Sequence, residues 1–570
     1  MEIMIRRAFV CLLPLFTGLS LIAQSYPRNY FRNPLDIPMQ LVANFGEIRT
    51  NHWHMGLDIR TQHKVNLPVH AAADGYVSRV SVEPGGFGQA IYINHPNGFT
   101  TVYGHLNAFF PELAAYVKQQ QYARQSWNIN LDLPPDLFPV KKGQLIARSG
   151  STGASEGPHV HFEIRDTKTE KNLNPLLFGF PIADNVPPAL LRLALYDRNK
   201  STYEQTPRIF GLVRSGGKYK LAGPDLTYTV TDKISFAIGA LDRFSHSSNS
   251  NGIFSARVLI DGQPQSGFVL DNISYDDTRY INAQVDLHYK AEGGSTVQHI
   301  SPLPGEHSGV YTTNTAYGII HLTDAAVHEI SIEVSDANGN ISGLSFRIQY
   351  DAVPGKNNLA IDPESLLPNN MNIIEKDGFE LYTTERSIYD TIAVSYSKAD
   401  DHAPNSVSPL HTFLNASYPV HDSVSVRIRP EEDIPNEWKD RLVIRNKSGE
   451  KIFVQKAVWQ KGWLAATFRQ FGSYQLFIDK EPPTVNAPGY GKVINLTKRS
   501  GIAFTPHDNF GCIRSFRAEL DGNWLRFSND KGKSWIYNFD EHFPKGEHEL
   551  KVIVEDEAGN VTTKLWKVRK

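Results

Sequence analysis

Five side chains in the first third of the chain have the types and spacing to bind a metal ion and move protons: His54, Asp58, His105, His159 and His161. They lie in three short segments, His54-Met55-Gly56-Leu57-Asp58, Tyr103-Gly104-His105-Leu106 and Gly157-Pro158-His159-Val160-His161-Phe162-Glu163. Side chains alternate along a strand, so a strand through Val160 turns His159 and His161 to one face and one site. Two imidazoles and a carboxylate suit zinc and leave a fourth tetrahedral position for water, the mark of a catalytic rather than a structural site. Singly these signals are weak, since a His-x-His on a strand is more often exposed or structural than a ligand, and a His-x-x-x-Asp is weaker still. Their occurrence together and in order gives them weight. Of the neighbours, His52 reads as a surface residue or one behind the site, His95 as part of a turn with Pro96, and Glu163 as a strand residue. Glu83 and Asp74 read as turn residues.

The elements that must position these groups read as mainly β. The alternating runs over 75–80 and 90–94 are half-buried strands, joined by the glycine-rich turn of 83–88. One helix interrupts them, over 111–125, where proline starts a run of strong helix formers with Glu112 in its first turn.

In this order, the three segments resemble the lysostaphin-like, LytM-type zinc metallopeptidases. Ala73-Asp74-Gly75, Val140-Lys141-Lys142-Gly143-Gln144, Ser149-Gly150-Ser151-Thr152-Gly153 and Asn174-Pro175-Leu176 fit the same family, and the resemblance covers about 35–180. It implies an N-terminal lysostaphin-type antiparallel β peptidase domain with a short helical insertion. It further implies that His54, Asp58 and His161 bind Zn2+ while His105 and His159 stand unligated beside it. His159 is then the general base, and His105 stabilises the tetrahedral intermediate or protonates the leaving amine, with the two roles open to exchange. The implied substrate is the peptide cross-link of bacterial peptidoglycan. The stretch between His105 and Val140 departs from the shortest members and is expected either to wall the cleft or to pack on the sheet edge.

The remainder holds an internal repeat. Ser255-Ala256-Arg257-Val258-Leu259-Ile260-Asp261-Gly262 echoes Ser515-Phe516-Arg517-Ala518-Glu519-Leu520-Asp521-Gly522, after Asp242-x-Phe244 and Asp508-x-Phe510 respectively. His328-Glu329 with Asn340 repeats as His548-Glu549 with Asn560, around the turns Asp336-Ala337-Asn338-Gly339-Asn340 and Asp556-Glu557-Ala558-Gly559-Asn560. Each copy opens after a double proline, Pro187-Pro188 or Pro482-Pro483, and resembles a bacterial immunoglobulin-like β-sandwich. The expected organisation is a signal peptide (1–23), the peptidase domain (24–185), a sandwich (186–351), a β-rich domain of unknown type (352–480) and a second sandwich (481–570).

The 570 residues are too many for one core. With 58 Lys and Arg against 60 Asp and Glu, no net field favours nucleic acid as a partner. Arg6 and Arg7 before the apolar run of 8–23 read as a secretory signal, which predicts an exported protein of the periplasm or cell envelope with no membrane span after cleavage. Cys512 is then the lone cysteine, so no internal disulfide forms. Against an exported endopeptidase stands a non-enzymatic envelope protein that binds peptidoglycan or activates other wall hydrolases. A structural surface protein whose sandwiches do the work is a third reading.

Overall fold

The computed structural model describes residues 26–351, 364–401 and 403–570; the expected signal peptide and the boundary expected at 351/352 lie outside them. In the N-terminal domain the main sheet runs Leu41–Ala43, Leu57–Arg60, His159–Asp166, Phe99–Gly104, Gln89–Asn94, Gly75–Val82 and Ile129–Asp132, with antiparallel neighbours. The strand His159–Asp166 is buried along nearly its whole length because it is central, paired on one side with Leu57–Arg60 and on the other with Phe99–Gly104. A second sheet, Pro68–His70, Leu145–Ser149 and Leu106–Phe109, closes over the core, in which Val77, Ile91, Val160, Phe162 and Ile164 are fully buried.

The helix forms at Pro111–Arg124, with Glu112 in its first turn and Gln125 left-handed at its end. Leu113, Val117 and Gln121, spaced by four, are its buried side. Beyond it Ile129–Asp132 pairs with the edge of Gly75–Val82. The stretch expected either to wall the cleft or to pack on the sheet edge therefore does the second, extending the edge, and its helix receives the last sandwich. Tyr122 stacks on His542 at 3.7 Å, and Lys118 pairs with Asp540 and Glu541 at 2.9 and 2.8 Å.

The two repeat copies are β-sandwiches, and the repeated residues have structural reasons. In each copy an Asp-Gly pair takes positive φ at both positions, 49° and 76° at Asp261-Gly262 and 48° and 81° at Asp521-Gly522. Such two-residue hairpin turns favour Asp-Gly. The same aspartate then accepts from the His-Glu pair: Asp261 from Glu329 N (2.9 Å) and His328 Nδ1 (2.7 Å), Asp521 from Glu549 N (2.8 Å) and His548 Nδ1 (2.7 Å). Between the copies stand two five-stranded sheets, ordered Ile373–Lys376, Phe379–Tyr382, Pro419–Ile428, Trp463–Gln470, Val458–Gln460, and Tyr396–Ala399, Leu410–Phe413, Gly472–Ile478, Leu442–Ser448, Lys451–Lys456. No helix among the described residues is long and apolar enough to cross a membrane. The first sandwich shares its core with the N-terminal domain: Phe45, Trp53 and Met55 pack among its residues, and Trp53 Nε1 donates to Gln284 Oε1 at 2.9 Å.

Candidate metal centre and catalytic cleft

Strand register assembles the site. His161 lies opposite Asp58 on one side and opposite Gly104 on the other, so the ligand candidate, the carboxylate and the residue before His105 are cross-strand neighbours. His54 precedes the strand Leu57–Arg60 by a short bend, where Gly56 lets the backbone lie close against the central strand. A Cβ there would stand 2.6 Å from Phe162 O and 2.9 Å from His161 Nε2. His105 takes φ +59°, which swings its ring off the end of its strand and back over the cleft.

Three atoms meet at the centre. His54 Nε2 is 3.0 Å from Asp58 Oδ1 and 3.1 Å from His161 Nδ1, and His161 Nδ1 is 2.9 Å from Asp58 Oδ1. All three residues are buried. Donors held tetrahedrally about 2.0–2.1 Å from a zinc-sized ion stand about 3.3 Å apart, close to this triangle. The outer hydrogen bonds decide which nitrogen carries the proton. His54 Nδ1 is 2.7 Å from Asn44 O, which can only accept, so Nδ1 carries the hydrogen and Nε2 is bare. His161 Nε2 donates to Glu163 Oε1 at 3.0 Å, leaving Nδ1 bare. Two lone pairs and a carboxylate oxygen thus point at one another, an arrangement that repels unless a cation stands between them. A proton is the other candidate: burial would lower the His161 pKa, but the Asp58 and Glu163 carboxylates raise it to about 9. Metal uptake here displaces that proton.

His105 and His159 flank the triangle, with ring centroids 4.7 Å apart. His105 Nδ1 donates to Thr152 O and His159 Nδ1 to Gly157 O, each at 2.8 Å, so both Nε2 atoms are bare. His159 Nε2 is 3.4 Å from Asp58 Oδ1. Burial, then the neighbouring His161 and His159, push the His105 pKa down to about 3. The five residues open on a cleft of about 760 Å³, also lined by Arg49, Phe87 and Tyr275. No residue of the helix or of 125–139 lines it.

Several functional groups carry no motif of their own. Glu163, read from the sequence as a strand residue, is wholly buried and accepts from His161, from Tyr275 Oη (3.1 Å) and from Arg165 Nη2 (2.6 Å). Burial would raise its pKa, but Arg165 and His161 hold it down to about 2. His95 does open the turn with Pro96, its carbonyl accepting from Gly98 N at 3.1 Å, and it is also buried, with Nδ1 donating to Asp74 O at 2.8 Å and Nε2 2.8 Å from Thr101 Oγ1. His52 is exposed at the cleft. Glu83 and Asp74 do serve turns, accepting from Phe87 N and Lys142 N. Tyr275 comes from the first sandwich, as does Gly252, which pins the Asn44 side chain through both of its polar atoms (2.8 and 2.9 Å). From the last sandwich, Lys531 Nζ donates to Ser151 O, Gly153 O and Ser155 O at 2.6, 2.7 and 3.0 Å, and Asp530 Oδ1 accepts from Gly153 N at 2.7 Å. The loop they hold carries Thr152, the partner of His105, and Ser155, whose Oγ is 3.3 Å from His159 Nδ1. The signal for these residues is contact between domains, which no local pattern encodes.

Residues 52–126 and 138–175 match Peptidase family M23, and residues 364–479 match the Zu5-like domain, which gives a type to the central β-rich domain. The chain is 33% identical over 134 residues to DD-carboxypeptidase/endopeptidase Mpg of Neisseria meningitidis, covering 24% of each protein. It is 27% identical over 169 residues to peptidoglycan DD-endopeptidase ShyA of Vibrio cholerae, covering 29% of this chain and 33% of that one. The match thus spans about a quarter to a third of the length of these curated relatives. The catalytic domain of lysostaphin from Staphylococcus simulans aligns at 24% identity and a TM-score of 0.17, over 24% of this chain and 87% of that one. With His54, Asp58, His105, His159 and His161 all inside the matched residues, the N-terminal domain is a Peptidase family M23 domain of the lysostaphin-like, LytM type.

Proposed function

We propose that this protein is a zinc-dependent endopeptidase that hydrolyses peptide cross-links of bacterial peptidoglycan in the cell envelope. The observation that carries the reading is the convergence of two imidazole nitrogens and one carboxylate oxygen within 3.1 Å of one another. His54 Nε2, Asp58 Oδ1 and His161 Nδ1 would hold the zinc. When bound, it lowers the pKa of a coordinated water toward about 7 and polarises the scissile carbonyl. His159 Nε2 takes the proton of the attacking water and returns it to the leaving amine. His105 Nε2 has no hydrogen to donate, and burial disfavours its imidazolium, so it accepts a hydrogen bond from the water and orients it. The Thr152 and Gly157 carbonyls keep both rings in the tautomer these tasks require.

The relatives named as peptidoglycan endopeptidases support the substrate class, and the apolar run of 8–23 supports export. A regulator that binds wall peptides without cutting them is the competing reading, and the complete ligand set weighs against it. Mass spectrometry of muropeptides treated with wild type and with His159→Ala tests the proposal. Wild type is expected to release cross-link fragments; the variant is expected to release none while keeping about one zinc per chain. Tight zinc in the wild type without release of any wall peptide would overturn the hydrolytic reading in favour of the regulatory one.

A further inference from the structure

Beyond the residues of the Peptidase family M23 match, each repeat copy brings three aspartate carboxylates together. In the first sandwich the carboxylates of Asp184, Asp242 and Asp336 bring one oxygen each to within 4.8 Å of the others, and in the last sandwich those of Asp479, Asp508 and Asp556 do the same. The six residues occupy equivalent positions of the repeat. Asp184 and Asp479 each open an Asp-x-x-Pro-Pro junction, Asp242 and Asp508 each open an Asp-x-Phe, and Asp336 and Asp556 each open the turn that ends in Asn340 or Asn560. The segments between them differ greatly: 58 residues separate Asp184 from Asp242, whereas 29 separate Asp479 from Asp508. The loops have diverged in length while the three carboxylates stay together.

The hydrogen bonding is incomplete in a telling way. Asp336 and Asp556 are satisfied, each by the main-chain and side-chain nitrogens of the asparagine four residues on, at 2.7–2.9 Å. Asp242 is not. It is 2% exposed, and its Oδ1 meets no donor. Asp184 and Asp508 are half-buried residues, but Asp184 Oδ2 and Asp508 Oδ1 are themselves out of water and without a donor. No lysine, arginine or histidine among the described residues forms an ion pair with any of the six. A carboxylate oxygen that is out of water and receives no hydrogen costs of the order of a few kcal/mol, which a cation recovers. Burial and mutual repulsion accordingly push Asp242 up to about 7 and Asp508 up to about 6.

We propose that each sandwich binds one hard divalent cation, Ca2+ by preference, between Asp184, Asp242 and Asp336 in the first copy and between Asp479, Asp508 and Asp556 in the second. The donors are all oxygen, which selects against zinc and copper, and three carboxylates, two in the first copy and one in the second with an oxygen that receives no hydrogen, suit the 6–8 coordination of Ca2+ better than the strict octahedron of Mg2+. The position gives the ions a task. Asp184 lies between the peptidase domain and the first sandwich, and Asp479 directly follows the strand Gly472–Ile478 of the Zu5-like domain. Each ion therefore ties an incoming linker to two loops of the sandwich it enters and fixes the angle between neighbouring domains.

Equilibrium dialysis of the full chain against 45Ca2+, after removal of calcium with EGTA, tests this. Two ions per chain are expected for wild type, one for Asp242→Asn, one for Asp508→Asn and none for the double variant, with Mg2+ a poor competitor. The melting temperature should rise with the logarithm of Ca2+ concentration in wild type and stay unmoved in the double variant. Should Asp242→Asn fold poorly by circular dichroism, the less buried Asp184→Asn removes the same ion. Uptake below half an ion per chain at millimolar Ca2+, or equal uptake in wild type and the double variant, overturns the proposal. So does a double variant that melts above wild type when neither takes up calcium, which would mean that the carboxyls share protons instead.

Discussion

Glutamine at position 163 separates a structural strand residue from a group that tunes the metal centre. The substitution keeps the side chain's shape and an acceptor for His161 Nε2 but removes a charge that is wholly buried between His161 and Arg165. Deleting one member of a buried ion pair costs about 3–5 kcal/mol, because the remaining ion stays out of water without compensation. Arg165 keeps the faces of Tyr92 and Tyr275, 5.3 and 4.8 Å from its guanidinium carbon. Those contacts soften the loss toward the lower end, so Glu163→Gln should destabilise the metal-free protein by about 3 kcal/mol. The effect on the metal is separate. With a neutral carbonyl in place of the carboxylate, His161 Nδ1 becomes a weaker base, and such outer partners are worth about 10–100-fold in metal affinity. Urea denaturation of the zinc-free protein reads the first quantity, and zinc competition against a chromophoric chelator reads the second. An unfolding free energy within about 1 kcal/mol of wild type together with a zinc affinity within about twofold would refute the reasoning and return Glu163 to the status of an ordinary strand residue.

Three further outcomes follow from the geometry. Gly56→Ala places a methyl 2.6 Å from Phe162 O and 2.9 Å from His161 Nε2; an overpacking cost of about 1–3 kcal/mol and substoichiometric zinc are expected, read by calorimetry and metal analysis. Lys531→Met removes the three hydrogen bonds that hold the loop of Thr152 and Ser155; hydrolysis should slow by about 10- to 100-fold at unchanged zinc content, with a shifted pH–rate profile because His105 loses its fixed tautomer. In calcium-free protein, burial together with Asp336 and Asp184 raises Asp242 to about 7, and no cationic side chain among the described residues faces it. The folded state then holds a proton that the unfolded chain releases near 4, so urea midpoints should fall as pH rises from about 4 to about 7 and level off above it; Asp242→Asn should flatten the slope.

That the five site candidates come together was legible because each sits in a short pattern, and the strand through Val160 needed only the period of two to bring His159 and His161 together. The helix of Pro111–Arg124 was legible from its proline start and helix formers. The repeat was legible because hairpin turns with positive φ restrict residue type locally, and the Asp-Gly pairs record that restriction. What the inserted stretch does was open in the sequence. Whether its helix meets the cleft or a distant domain depends on how the whole chain returns, and the partners Asp540 and His542 lie more than 400 residues away.

Local chemistry, then, was written in the sequence alone: which side chains carry lone pairs and charges, where turns must fall, and that two modules share one design. Tertiary structure alone decided which nitrogen of each imidazole carries the hydrogen, since that depends on the carbonyls of Asn44, Thr152 and Gly157 and on the Glu163 carboxylate. It likewise decided that Tyr275, Gly252 and Lys531, from two other domains, brace the site, and that six aspartates scattered over 372 residues, from Asp184 to Asp556, form two clusters. The physical reason is range: turn preferences and strand alternation act within a few residues, whereas hydrogen bonds and charge pairs act across a few ångströms of space whatever the distance along the chain.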